Sequence, residues 1–337
     1  MPEDFKKLNE QRTGKYHKPA KEESFLEGLN NTLEKKETEE YINTDINHPL
    51  IFVIGLPRSG TTLLTQTLAH GLDVSYINNI AARFWAAPLH GLKLSDSLLD
   101  GKDSPYFRSD YATTHKLNDI HEFGYFWRKW LKKDSFEHII HAEDYEPEID
   151  WNGLKKVLGN LTSYRDKAFI FKNIFGAFHM SKLNQVLEKT LWIYIERDIL
   201  DVAVSNLNAR KKFYDDPNTW WSTAPPEFPK LKDLETIPQI AGQLHYLKRF
   251  YHREMNNLNS EGKGLHITYD ELCKNPSSFL KVVQENINSL YHYKIPLNHE
   301  LPDSFSQNKY EEDQGLKKEF EKHLIEFHKN DPIPELN

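Results

Sequence analysis

The stretch "IFVIGLPRSGTTLL" (51–64) decides the fold. Its first residues extend the run "LIFVIG" (50–55), short, apolar and rich in β-branched side chains, bounded by Gly55 and Pro57. Such a run suits a strand buried on both faces of a parallel sheet. After the turn, "TTLLTQTLAHG" (61–71) places apolar residues at 63, 64 and 68 and stops at a glycine, as a helix does. The unit is therefore strand, tight turn, helix.

The unit recurs along the chain. "AFIFKN" (168–173) and "TLWIYIER" (190–197) read as strands, followed by helical patterns in "AFHMSKLNQVLE" and in 198–213, the latter capped by Asp198. "GLHITYDEL" (264–272) reads as a fourth strand leading into a helix with Asn275 as cap and Pro276 at its first position. Alternating strands and helices predict an α/β fold, a three-layer P-loop-like architecture with a central parallel sheet flanked by helices. Two long connections interrupt it, the aromatic-rich, mostly helical or irregular 72–167 and the segment 214–235. Connections of that length usually shape a binding site. The expected organisation is a polar, loosely packed N-terminal extension over 1–48, with a helix near 22–42, then one domain over 49–337 carrying the 72–167 insertion.

Composition narrows the function. The 337 residues carry a net charge of −7, which argues against a nucleic-acid binder with a basic surface. The single cysteine excludes an intrachain disulfide and a Cys-rich metal site, and no histidine spacing makes a convincing metal ligand set. No apolar leader region and no run of about 18 apolar residues is found, so neither a signal peptide nor a membrane span is expected, and a cytoplasmic location is.

Backbone N–H groups of a strand-loop-helix turn converge on an anion, and Gly55 and Gly60 stand at the spacing of G-x-x-x-x-G-K-[ST]. The lysine of that pattern is replaced by Thr61, and no carboxylate follows a strand of four apolar residues to hold Mg²⁺. A kinase or NTPase is thereby disfavoured but stays open, as does a catalytically silent nucleotide-binding protein. The loop's cation is Arg58.

"GLPRSGTTLL" resembles the 5′-phosphosulfate-binding loop of sulfotransferases that use 3′-phosphoadenosine 5′-phosphosulfate (PAPS), in the arginine form of the carbohydrate, tyrosyl-protein and many bacterial branches. The resemblance implies donor contacts from Arg58, Ser59, Gly60, Thr61, Thr62 and Leu63. A second match is "ERDILDVAVSNLNAR" (196–210), where Arg197 and Ser205 keep the family's spacing of eight for two groups that bind the donor's 3′-phosphate. The resemblance further implies that Lys172, ending "FIFK", contacts the departing bridge oxygen, and that Tyr269 contacts adenine. It covers about 50–70 and 168–290.

Departures fall at the general base. The histidine that cytosolic members carry two residues after the strand-end lysine is Ile174 here, and "VSYINNIAARFW" lacks the glutamate of other branches. The segment 114–130, with His115, Asp119, His121 and Glu122, is the best source of a base, and His121 and Glu122 are the candidates. Arg83 could line the site or form a salt bridge. The family's Gly-rich C-terminal element is missing, and Ser306 and Lys309 in "SFSQNKYEE" are its possible replacement. The expected activity is sulfuryl transfer from PAPS to a hydroxyl or amine of a carbohydrate or small-molecule acceptor, without a metal.

Overall fold

In the computed structural model, which describes residues 4–99, 107, 116–311 and 313–336, the run Leu50–Gly55 is the central strand, β1. The other strands are β2 (Ser75–Tyr76), β3 (Phe169–Lys172), β4 (Thr190–Glu196) and β5 (Gly264–Thr268). They form one sheet in the order β2-β3-β1-β4-β5, with every neighbouring pair parallel. Register sets Val53 beside both Lys172 and Ile193. All six residues of β1 are buried, so a continuous apolar run was the right signature.

Alternation divides those side chains between two cores. Phe52 and Ile54 join Phe171, Trp192 and Tyr194 on one face, with Phe52 stacked 4.5 Å from Trp192. Ile51 and Val53 join Ile170, Ile193 and Ile195 on the other, where Leu64 and Leu68 of the helix Thr61–Gly71 cover them. Burying each such side chain contributes about 1.5–3 kcal/mol. From β1 the chain leaves toward β2 on one side, and from β4 it leaves toward β5 on the other. That reversal opens a crevice at the carboxyl ends of β1 and β4, where ligands of open α/β sheets bind.

Three expectations need correction. The fourth predicted strand ends at Thr268, because Thr268 and Glu271 form a capping box that starts the helix Tyr269–Lys274. The insertion contains β2, whose two residues are too few for a period to register. The N-terminal segment is polar but docked. In its helix Ala20–Glu40, Asn30 is fully buried, donating to the carbonyl oxygens of Leu26 and Arg83 and accepting from Ala86 N. Glu37, 1 % exposed, accepts from the amides of Leu89 (2.6 Å) and His90 (3.0 Å) at the start of the helix Pro88–Leu99. A carboxylate there satisfies two N–H groups that no helix can satisfy itself.

At the other end, the helix Gln314–Asn330 packs Phe320 and Leu324 into the core beside the 24-residue helix Thr236–Asn259. No helix among the described residues is long and apolar enough to cross a membrane.

Candidate active site

The loop after β1 is held tightly. A Cβ on Gly55 would fall 2.7 Å from the Ile195 carbonyl oxygen, and one on Gly60 would fall 2.6 Å from the Tyr269 ring. Gly60 also takes φ of 106° as the N-cap of the helix Thr61–Gly71, a conformation that glycine adopts without strain. Arg58 sits at φ of 75°, a costly value for a residue with a side chain, kept only where the surroundings dictate it. The first-turn amides, those of Thr61 and Thr62 among them, lack intrahelical acceptors by construction and face the crevice end of the helix. Ser59 Oγ is buried with no hydrogen-bond partner among the described residues. Leu63, half-buried, packs on the second core.

The second motif meets this loop. Arg197, just past the end of β4, donates from Nη1 to the Arg58 carbonyl oxygen at 3.1 Å, and its Nη2 donates to the Asn308 carbonyl. Its guanidinium lies 4.7 Å from the centre of the Tyr269 ring. Arg197 Nε is buried with no hydrogen-bond partner among the described residues. Ser205, on the helix Ile199–Tyr214, accepts from Arg58 Nε at 3.1 Å and from the Tyr310 hydroxyl at 3.3 Å. Arg197, Leu200, Tyr269, Asn308, Lys309 and Lys317 border a pocket of about 380 Å³ beside these groups.

The C-terminal contribution differs from the expected one. Ser306 is exposed, and the contacts fall on its neighbours Asn308 and Tyr310, while Lys309 borders the pocket and reaches Asp270 at 3.9 Å. Lys317 pairs with Asp201 at 2.6 Å, and Tyr310 N donates to the same carboxylate at 3.2 Å. Nothing local in the sequence marks Tyr310 or Lys317, because it is the docking of the C-terminal helix that brings them in.

The third group is Lys172, 4 % exposed at the end of β3, whose Nζ donates to Thr62 Oγ1 at 2.8 Å and pairs with Glu122. The Glu122 side chain is 42 % exposed. Burial pushes its carboxyl up, but the Lys172 ammonium, with His121 and Arg12 in reach, more than reverses that, and the net direction is down. His121 keeps part of its surface exposed, while neighbouring protein strips hydration from its ring. The lost hydration, with Lys18, Lys172 and Arg83 nearby, holds its imidazole down at about 4 against the pull of Glu122. Its Nδ1 accepts from Phe123 N at 2.9 Å, so in the neutral ring the proton is on Nε2.

Of the remaining candidates, Asp119 is buried and closes a turn through Lys116 N, His115 lies outside the described residues, and Arg83 is bound to Glu22 at 2.8 Å. Ile174 is half-buried and packed against the first core. Among the described residues no group of three or more His, Cys, Asp and Glu side chains is arranged to hold a metal ion.

A model of the sulfotransferase family matches residues 49–288. A comparison with curated proteins gives no match. Among solved structures the chain is similar to sulfotransferase STF1 from Mycobacterium tuberculosis H37Rv, at 15 % identity and a TM-score of 0.49 over 78 % of this chain and 75 % of that one. It is also similar to sulfotransferase STF9 from Mycobacterium avium, at 17 % identity and a TM-score of 0.47 over 93 % of this chain and 82 % of that one. The sequence match spans the sheet and all three groups gathered at its carboxyl edge, and the chain belongs to the sulfotransferase family.

Proposed function

We propose that the protein transfers the sulfuryl group of PAPS to a hydroxyl or amine of a carbohydrate or small-molecule acceptor. The observation that carries this reading is the convergence of three distant sequence elements: Arg58 on Ser205, Arg197 on the Arg58 backbone, and Lys172 on Thr62. The unpaired Ser59 Oγ and Arg197 Nε supply donors that an anionic nucleotide would satisfy.

In the proposed reaction the acceptor oxygen or nitrogen forms a bond to sulfur while the bond from sulfur to the bridge oxygen breaks. Its electron pair stays on that oxygen as the nucleotide leaves. Arg58, Lys172 and the loop amides neutralise the growing charge from fixed positions, which needs little reorganisation during reaction. Arg197 and Ser205 hold the 3′-phosphate, and Tyr269 packs against the adenine.

The acceptor proton goes to Glu122. His121 is the weaker candidate, since its Nδ1 lone pair is engaged by Phe123 N and its Nε2 carries the proton. Glu122 is ionised and partly exposed beside Lys172, where an acceptor placed in line with the donor would meet it. Its pairing with Lys172 lowers its basicity, and a donor that attracts Lys172 would release it.

Thermal denaturation with ATP or with 3′-phosphoadenosine 5′-phosphate tests the donor. A ligand at 100 times its Kd stabilises by about 2.7 kcal/mol. Stabilisation by the 3′-phosphorylated nucleotide over ATP is expected, and the reverse order would overturn the reading.

A further inference from the structure

The cavity beside Arg197 and Tyr269 has a wall that lies outside the family match. That match ends at residue 288, yet Asn308, Lys309, Gln314 and Lys317 all border the cavity of about 380 Å³. Gln314 and Lys317 stand in the first turn of the helix Gln314–Asn330, which buried Phe320 and Leu324 anchor to the core. The start of a helix favours an anion, because its first amides lack acceptors.

A chain of contacts runs from that wall to Ser205. Lys317 Nζ lies 2.6 Å from Asp201 Oδ1, and Tyr310 N donates to the same oxygen at 3.2 Å. The Tyr310 hydroxyl donates to Ser205 Oγ at 3.3 Å. Asp201 and Ser205 share a face of the helix Ile199–Tyr214, one turn apart, with Cβ atoms about 5–6 Å from each other. Lys317 is therefore held one turn from the Ser205 hydroxyl. The same cavity carries an unmet hydrogen-bond donor, since Arg197 Nε is buried with no partner among the described residues. Asp201, 6 % exposed, would repel an anion seated on Ser205 if Lys317 did not stand against it. An ammonium has three N–H groups, so the one that meets Asp201 leaves others for a second oxyanion. Of the other carboxylates on the rim, Asp198 accepts from Asp201 N at 2.9 Å, and Asp270 lies 3.9 Å from Lys309.

We propose that Lys317 is a nucleotide-binding residue: held by Asp201, its ammonium reaches the 3′-phosphate that Arg197 and Ser205 take, and the C-terminal helix thereby supplies part of the nucleotide site. Asp201 is then a positioning residue, which aims Lys317 along the cavity wall. This assignment rests on the reading of Arg197 and Ser205 given above. A lysine suits the place because its compact charge serves a carboxylate and a phosphate at once.

Calorimetry on the full chain, with 3′-phosphoadenosine 5′-phosphate and with adenosine 5′-phosphosulfate, tests it. Lys317→Met should weaken the first ligand by about tenfold or more, the loss expected for a charge-assisted contact. The second ligand lacks the 3′-phosphate and should bind nearly unchanged, which also reports correct folding. Lys317→Arg should recover part of the loss. Lys317→Met combined with Asp201→Asn separates contact from charge balance, because it leaves no unpaired carboxylate. This double variant should bind the 3′-phosphorylated nucleotide as weakly as Lys317→Met does, and it decides alone if the single variant does not fold. A return to wild-type affinity in the double variant would mean that Lys317 only neutralises Asp201, and would overturn the proposal. So would wild-type affinity in Lys317→Met, or equal weakening of both ligands. Arg197→Ala is the control: if it too weakens both ligands equally, the 3′-phosphate reading itself falls.

Discussion

Arg58 Nε donates to Ser205 Oγ at 3.1 Å across 147 residues of chain. The contact joins the loop after β1 to the helix after β4, and both leave the sheet at the reversal of strand order. Each residue is aimed by its own element: Arg58 by a positive φ in the turn, Ser205 by its place on the helix that Asp198 caps. On the proposed reading, a donor's phosphates would compete for the same groups at their meeting point.

Arg197→Ala and Ser205→Ala should each weaken binding of 3′-phosphoadenosine 5′-phosphate by about 1.5–3 kcal/mol, the range for a hydrogen bond to a charged group. Adenosine 5′-phosphosulfate, which lacks the 3′-phosphate, should bind nearly unchanged. Calorimetry on both ligands checks this, and equal weakening would remove the 3′-phosphate role.

Lys172→Ala should lower kcat far more than it weakens nucleotide binding. In the proposed reaction its contact with the bridge oxygen would strengthen only as charge develops there. Single-turnover transfer gives the rate, and a wild-type rate would leave Lys172 as a partner of Thr62 and Glu122 only.

Glu122→Gln should cost about 10²–10⁴-fold in rate while the nucleotide still binds. Since its carboxyl is held below the usual carboxylate range, it is ionised at neutral pH. The value of kcat/KM, which reports the free enzyme, should therefore be flat around neutrality and fall only as pH drops below the ordinary glutamate value of about 4.3. His121, held down at about 4, is likewise neutral there and adds no limb near the ordinary histidine value. A profile rising through about 6.5 would contradict both assignments. His121→Ala should act weakly, and a larger loss from it than from Glu122→Gln would move the base to His121.

Glu37→Ala tests the docking of the N-terminal helix. It removes the acceptor for Leu89 N, His90 N and the Tyr41 hydroxyl at a buried position. The expected cost is about 1.5–3 kcal/mol in denaturant unfolding, with donor affinity retained. An unchanged midpoint would show that the segment contributes little to stability.

Much of the sheet and of the loop that follows β1 was legible in the sequence. The β1 run, the two glycines of the loop, the Arg197–Ser205 spacing and the caps at Asp198 and Asn275 are all carried by residues close in the chain. Periodicity and turn chemistry act over a few residues, so they leave a readable local trace. Even the misplaced end of β5 had its signal, Thr268 followed three residues later by Glu271.

Tertiary structure alone decided the rest. Glu122 reaches Lys172 and Tyr310 reaches Ser205 only because separate elements pack onto the sheet's carboxyl edge. In the sequence neither pairing can be told from two separately solvated side chains. A buried polar group takes its partner from wherever the fold supplies one, and long-range pairing carries no period.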